Sequence, residues 1–175
     1  AAALVEAAHA RGGQDNASAL VVRIAAVGEA DAELTEARDL PLPGRLAAGA
    51  QLDDFEIEAV LHAGRDTLVY RARQRASGQV YALKTLQTAL AGDLDSARRL
   101  LAEEWFLKRV HSHYFPEVLP LPGRRFLYFA QRFHQGETLQ HKLDAGWHVS
   151  AAEAATLGIR ILKGLSALYW YTVEF

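Results

Sequence analysis

The sequence predicts an α+β fold in which an antiparallel sheet precedes most of the helices. Two observations carry this prediction. From Gln51 onward, short alternating apolar and polar runs are separated by turn residues, which is typical of strands. Longer runs with helical spacing of their apolar residues follow at about residues 95–110 and 150–168. Strands that come first and helices that come later are typical of the α+β class.

The composition narrows the possible functions. The chain has 175 residues, enough for one ordinary domain or for parts of two. Its formal net charge of −2 gives no electrostatic reason to expect a nucleic-acid partner. No stretch has the ~18 apolar residues that cross a bilayer, so we expect no membrane segment and a cytoplasmic location. Because cysteine is absent, disulfides, thiolate catalysis and cysteine-bound metals are excluded.

The chain divides into three regions by composition. Residues 1–24 predict a helix, a polar turn with the letters GGQDN and a β-branched strand. Residues 25–50 are small, mixed in charge and interrupted by proline and glycine, which is typical of a linker. Residues 51–175 contain the other predicted strands and helices, so we expect a short helix–strand remnant, a linker and a main domain.

The strands of the main domain follow one another closely. The runs FEIEAVLHAG and TLVYRARQ flank a tight connection, and the turn RASG leads into GQVYALKTL; EVLPLPG and RRFLYFAQRF come later. In GQVYALKTL the alternation places Lys84 among small and apolar side chains. Burying an unpaired ammonium costs several kcal/mol, so this lysine is expected to have a partner.

The helix at about residues 95–110 offers such a partner. Its predicted apolar stripe places Glu103 inside the buried face and Glu104 farther round; the stripe consists of Leu100, Phe106, Leu107 and Val110. Lys84 and Glu103 are therefore candidates for an ion pair between strand and helix. Taken singly, a solvated glutamate and a lysine that extends to solvent remain the alternative.

The last predicted helix begins with a recognisable cap. Ser150 and Glu153 have the spacing of a capping box. The apolar side chains recur on one face: Leu157, Ile161, Leu165 and Leu168. We expect part of this apolar face to lack packing partners within the chain.

These motifs resemble the amino-terminal lobe of the eukaryotic-type serine/threonine protein kinase family, from about Phe55 to Leu168. The letters YALK match the family's V-A-I-K strand, and FLYFAQRFHQGETL is similar to its fifth strand and hinge. The resemblance implies that Lys84 holds the α- and β-phosphates of ATP and pairs with Glu103. It implies a gatekeeper at Gln131 and a hinge at residues 132–134. The implied nucleotide contacts are Leu61, Gly64, Val69, Ala82, Lys84, Gln131, Arg132 and His134.

The resemblance implies ATP-dependent phosphorylation of serine or threonine in a protein substrate, with Mg²⁺ as the cofactor. The sequence differs from the kinase motifs in two respects that bear on this activity. His62 and Thr67 occupy the places of the first and third glycines of the phosphate loop. The chain contains no H-R-D or D-F-G motif, so the Mg²⁺ ligands of the kinase site are absent, and we expect a truncated ATP-binding portion without turnover. The alternative is a non-catalytic, pseudokinase-like module that binds or regulates a partner.

The first 24 residues resemble the carboxy-terminal end of the type 2C metal-dependent protein phosphatase family, in which a helix precedes a G-G-x-D-N-x-S/T turn and a final strand. This resemblance implies that Asp15, beside Asn16, is a ligand in a two-metal site for Mg²⁺ or Mn²⁺. An ordinary polar turn is the alternative. A phosphatase end, a linker and a kinase lobe in this order resemble bacterial bifunctional phosphatase–kinase fusions.

Overall fold

The computed structural model describes residues 2–12, 37 and 39–173, with side chains as far as residue 169. The chain consists of two compact units, residues 1–32 and 33–175. In the first unit, helix α1 spans Ala2–Ala10, as the sequence predicts. The predicted turn with Asp15 and Asn16 and the strand after it lie outside the described residues.

The second unit is built on an antiparallel sheet, in agreement with the predicted α+β class. Its six described strands have the order β1-β2-β3-β4-β6-β5. Each neighbouring pair is antiparallel. The strands are β1 (Gln51–Leu52), β2 (Phe55–Ala63), β3 (Thr67–Gln74), β4 (Val80–Leu86), β5 (Val118–Leu119) and β6 (Tyr128–Arg132).

The described helices of this unit lie mainly after β4. A 3₁₀ turn at Thr88–Leu90 precedes α2 (Leu94–Arg109), and α3 (Leu139–Asp144) and α4 (Ala151–Val173) follow β6. These bounds agree with the predicted helices at about 95–110 and 150–168. The predicted capping box is present at α4, where Ser150 and Glu153 exchange backbone and side-chain hydrogen bonds of 2.7–3.3 Å.

The sheet has an apolar cluster on each face. One cluster, which includes Phe55, Tyr70 and Tyr128, joins the β1–β2 hairpin to the middle strands. The other joins the sheet to helix α2 and contains Leu100 and Phe129. Alternation along each strand divides its side chains between the two faces. The sheet and α2 thus form a layered unit that fixes the position of β4.

The chain immediately before β1 packs against this unit. Leu40 and Leu42 pack on the cluster beneath α2, and Leu46 packs on the opposite cluster. The Leu127 N–H donates a hydrogen bond of 2.9 Å to the Pro41 carbonyl. Residues 39–50, which the composition predicts as linker, therefore lie against the lobe and contribute to its core.

Helix α4 carries large apolar side chains on its surface. Ile159, Ile161, Leu162, Leu165 and Tyr169 are between 54% and 65% exposed, as the sequence predicts for part of this helix. Gly164 is buried where the helix meets Tyr114, since an added Cβ would lie 3.6 Å from the Tyr114 Cβ. Among the described helices, none is both long and apolar enough to span a membrane.

Candidate functional site

The register of the central strands brings the predicted site residues to one face of the sheet. Lys84 on β4 pairs with Val69 on β3 and with Phe129 on β6. Ala82, two residues earlier, pairs with Gln131. Because residues two apart on a strand share a face, Val69, Ala82, Lys84 and Gln131 lie on the same side of the sheet. Helix α2 packs against this side, through the cluster that contains Phe129.

Lys84 and Glu103 form the ion pair that the sequence predicts. The Lys84 Nζ lies 2.7 Å from each of the two carboxylate oxygens of Glu103. The lysine side chain is 23% exposed and that of Glu103 is 41% exposed, so the pair lies at the edge of the helix–sheet contact. The positive charge of Lys84 on an otherwise apolar strand is thus compensated by the carboxylate of Glu103 on the next helix.

The predicted stripe of α2 is wrong in two positions. Glu104, expected farther round the helix, is 1% exposed, while Phe106, expected in the apolar stripe, is 47% exposed. The buried face consists of Ser96, Ala97, Leu100, Leu101 and Glu104. Ala97, Leu101 and Glu104 are spaced four and three residues apart, which is one face of a helix. Glu103 lies at the margin of that face, where it reaches β4.

Glu104 is buried because basic groups surround it. Its Oε2 accepts a hydrogen bond of 2.8 Å from Nη2 of Arg124, whose side chain is 8% exposed. The Lys108 Nζ lies 3.0 Å from the other oxygen. Sequence reasoning missed this cluster. Arg124 follows a turn at Gly123, in a segment without helical or strand periodicity. Only the tertiary structure shows that it contacts α2.

The loop between β2 and β3, which the resemblance predicts to bind phosphate, is held by its own backbone and by Gln87, the residue after β4. The Gly64 N–H donates to the Thr67 carbonyl at 3.0 Å, and the Gln87 side chain donates to the Gly64 carbonyl at 2.7 Å. The His62 ring lies against Gly64, since an added Cβ there would be 2.5 Å from the His62 Nε2. The histidine that replaces the first glycine therefore fills space directly over the second.

Leu61 differs from the other predicted contacts. The register of β2 on β3 shifts between Val60 and His62, so Leu61 is the residue left without a partner in a bulge. Its side chain is 45% exposed. The residue placed opposite Val69 is His62.

The predicted hinge begins where β6 ends. Arg132 is the last residue of the strand, and its N–H donates to the Glu117 carbonyl at 2.8 Å. Phe133 donates to the Val80 carbonyl at 3.4 Å, and the Arg71 guanidinium lies 5.3 Å from the centre of its ring. His134 is exposed immediately beyond. The segment is thus tied to β4 and to the residue before β5 before the chain turns towards α3.

The described residues contain no group of three or more histidine, cysteine, aspartate or glutamate side chains that could hold a metal ion. Asp15, the predicted phosphatase ligand, lies outside the described residues. Its role as a metal ligand stays a prediction.

Comparison with known proteins finds similarity to protein kinases. Mitogen-activated protein kinase kinase 9 of Arabidopsis thaliana is 31% identical over 126 residues, which cover 69% of this chain and 38% of that protein. Two solved structures of the PknI kinase domain of Mycobacterium tuberculosis are 22% identical, with TM-scores of 0.57 and 0.54. Each match covers 73% of this chain and 53% of the solved chain. No protein-family model matches the chain.

These similarities correspond to the features of the second unit. The antiparallel sheet, the lysine on β4 and the helix that supplies its glutamate are where the resemblance to kinases places them. The same comparisons give no support to the phosphatase resemblance of residues 1–24. The chain spans 38% of the curated relative and about half of the solved kinase domains. Its second unit has the protein-kinase fold, in the form of the amino-terminal lobe and the first helices that follow it.

Proposed function

We propose that this chain is the ATP-binding portion of a serine/threonine protein kinase, which transfers the γ-phosphoryl group of ATP to a hydroxyl of a protein substrate. The observation that carries the proposal is the contact of Lys84 Nζ with both oxygens of Glu103. Catalysis of phosphoryl transfer depends chiefly on positioning and on charge stabilisation. A fixed ammonium beside the phosphate loop contributes to both.

The geometry of Lys84 suits phosphate binding. An ammonium has three N–H donors, and two of them meet Glu103. The third is available to an α- or β-phosphate oxygen. Glu103 restricts the Lys84 side chain to one rotamer, which reduces the conformational entropy lost when phosphate binds.

The same face of the sheet offers an apolar surface for the adenine ring. Val69 and Ala82 lie on adjacent strands, and Gln131 lies opposite Ala82. In the proposal, Gln131 is the gatekeeper. In the proposal, Leu61 covers the ring from β2, and the backbone of Arg132 and His134 meets the adenine edge. ATP would bind as its Mg²⁺ complex, and the metal would neutralise charge on the phosphates.

Two finer parts of the proposal concern the whole protein. Residues 1–24 would be the end of a type 2C phosphatase domain, fused ahead of the kinase in a cytoplasmic bacterial bifunctional protein. Asp15 would then be a ligand for Mg²⁺ or Mn²⁺. The support for this is the helix Ala2–Ala10 directly ahead of the GGQDN motif.

Nucleotide-induced thermal stabilisation tests the proposal. A ligand at about 100 times its dissociation constant stabilises the folded state by about 2.7 kcal/mol, so Mg²⁺–ATP should raise the melting temperature of the chain. Lys84→Met should weaken ATP binding by about 10- to 100-fold, because a hydrogen bond to a charged group contributes about 1.5–3 kcal/mol. Lys163→Met, at an exposed position on α4, is the matched control and should retain the shift. Equal shifts in both variants would show that Lys84 does not contact phosphate.

A second candidate function is a pseudokinase-like module that binds or regulates a partner without catalysis. The packing of the His62 ring against Gly64 favours it, because the ring occupies space through which a phosphate approaches the loop backbone. The same melting experiment distinguishes the two candidates. Absence of any ATP-induced shift in the unsubstituted chain would favour the pseudokinase.

A further inference from the structure

We infer that Arg124 is a positioning residue for the phosphate site: its buried ion pair with Glu104 sets the rotation of helix α2 about its axis and thereby brings Glu103 to Lys84. The inference rests on the proposed function, since it assigns the purpose of this rotation to nucleotide binding. The first observation is that consecutive glutamates on α2 have different surroundings. Neighbouring residues on a helix point about 100° apart, so a small rotation moves both carboxylates.

The two ion pairs differ in burial. The side chains of Glu104 and Arg124 are 2% and 8% exposed, whereas those of Glu103 and Lys84 are 41% and 23% exposed. Ion pairs near solvent are weakened by water and salt, while buried ones are screened much less. The buried pair of Glu104 and Arg124 is therefore the stronger constraint on the orientation of α2. The exposed pair of Glu103 and Lys84 forms only when the helix has that orientation.

Arg124 connects the helix to the strands that carry the site. Its Nη1 donates to the Tyr128 carbonyl, and its Nη2 donates to Glu104 at 2.8 Å. Tyr128 begins β6 and pairs with Thr85, the residue after Lys84 on β4. A planar guanidinium with two fixed contacts is directional. The helix is thus aligned against the same two strands that position Lys84.

The strand end is itself anchored. The Tyr128 hydroxyl donates to Asp53 Oδ2 at 3.0 Å, and the Asp53 carboxylate also accepts from the N–H and the Nε of Arg125. The carbonyl that receives Arg124 is thereby held by the β1–β2 turn. The chain of contacts runs from this turn through β6 and Arg124 to α2.

A double-mutant cycle on ATP binding tests the inference. We expect Arg124→Met to weaken the binding of Mg²⁺–ATP, measured by calorimetry on the 175-residue chain, by about tenfold, within the usual range of coupling between neighbouring residues. In a Glu103→Gln background the same change should have less than about a twofold effect, because Arg124 acts through Glu103. Equal losses in both backgrounds would overturn the inference, because a general structural role does not depend on Glu103.

Three further variants separate positioning from folding. Arg160→Met, at an exposed arginine on α4, is the matched control and should leave ATP affinity unchanged. Arg124→Lys keeps the charge but loses the planar guanidinium with its two fixed contacts, so it should lose affinity, though less than Arg124→Met. The double variant Glu104→Met with Arg124→Met removes the buried charges together and is expected to fold. Its ATP affinity should stay low, and full recovery would overturn the inference.

A distance measurement tests the rotation without nucleotide. Because the sequence has no cysteine, Arg98→Cys on the exposed surface of α2 and Ala76→Cys in the β3–β4 turn can carry one pair of spin labels. Arg124→Met should broaden or shift the distance distribution, and Arg160→Met should not. An unchanged distribution would overturn the inference. A shifted distribution in a chain that binds no ATP would confirm the rotation and refute the proposed function.

Discussion

At the scale of single residues, two neighbouring glutamates on α2 show how local pattern and tertiary contact differ. Glu103 meets the strand lysine that its spacing predicts. Glu104 is buried against Arg124 and Lys108. Breaking a buried pair by removing one partner costs about 3–5 kcal/mol, because the remaining charge is left uncompensated. Glu104 is therefore more important for folding than Glu103, although Glu103 is the one proposed to act at the nucleotide.

Tyr128 makes the stability of the fold depend on pH in the alkaline range. Burial raises the pKa of the Tyr128 hydroxyl above its ordinary value, and the neighbouring Asp53 carboxylate raises it further. Near pH 10 the tyrosine of the unfolded chain loses its proton, while that of the folded chain keeps it. The contribution of Tyr128 to the free energy of unfolding is therefore complete below about pH 10. Above that pH it decreases by about 1.4 kcal/mol per pH unit.

We expect Tyr128→Phe to be less stable than the unsubstituted chain at pH 8, because the hydrogen bond to Asp53 is lost. The difference in unfolding free energy should shrink between pH 10 and pH 11, since phenylalanine cannot ionise. Urea unfolding of both proteins at each pH measures the difference in unfolding free energy, and the difference at pH 8 is the reference value. A difference that stays constant up to pH 11 would contradict this prediction.

At the scale of elements, helix α2 is defined at its first turn by Asp93. The Asp93 carboxylate accepts hydrogen bonds from the N–H groups of Asp95 and Ser96 and from the Ser96 hydroxyl. The hydroxyl of Ser96 is the main cause that lowers the pKa of Asp93, and the backbone bonds add to it. This cap fixes where the helix begins and, through the helix, where Glu103 lies.

Asp93→Ala should lower the melting temperature by a few degrees at neutral pH, because two N–H groups of the first turn lose their acceptor. A carboxylate with a lowered pKa stabilises the fold above the unfolded pKa of about 3.9, and this contribution disappears as pH falls through the folded pKa. The gap between the two proteins should therefore narrow below about pH 4. Asp93→Asn, which keeps an acceptor, should retain most of the stability at neutral pH. If Asp93→Ala melts at the temperature of the unsubstituted chain at pH 7, the cap has no role in stability.

At the scale of the whole molecule, the second unit has a well-packed sheet and an unevenly covered last helix. The core on both faces of the sheet includes residues 39–50, which adds to the sheet's apolar contacts. Helix α4, in contrast, exposes Ile159, Leu162 and Leu165 by more than half of their surface. Contiguous apolar surface of this kind favours association.

We expect the purified chain to self-associate in a concentration-dependent manner, because association covers the apolar surface of α4. Leu162→Lys combined with Leu165→Lys should shift sedimentation towards the monomer. Ala154→Lys with Ala155→Lys places the same charges on exposed positions of α4 without removing large apolar side chains, and should have a smaller effect. Monomeric behaviour of the unsubstituted chain at every concentration would refute this.

The sequence by itself determined the longer strands and helices of the second unit and half of the candidate site, but not β1 or α3. Alternation placed Lys84 on a strand, helical spacing placed Glu103 near it, and the Ser150–Glu153 box marked the start of α4, since each of these signals depends on residues a few positions apart. Tertiary structure alone decided that Glu104 is buried, that Arg124 reaches it from 20 residues away, and that residues 39–50 join the core. The physical reason is that a charged residue in a loop has no periodic neighbours to reveal its partner. Its contacts depend on how the loop closes over the sheet.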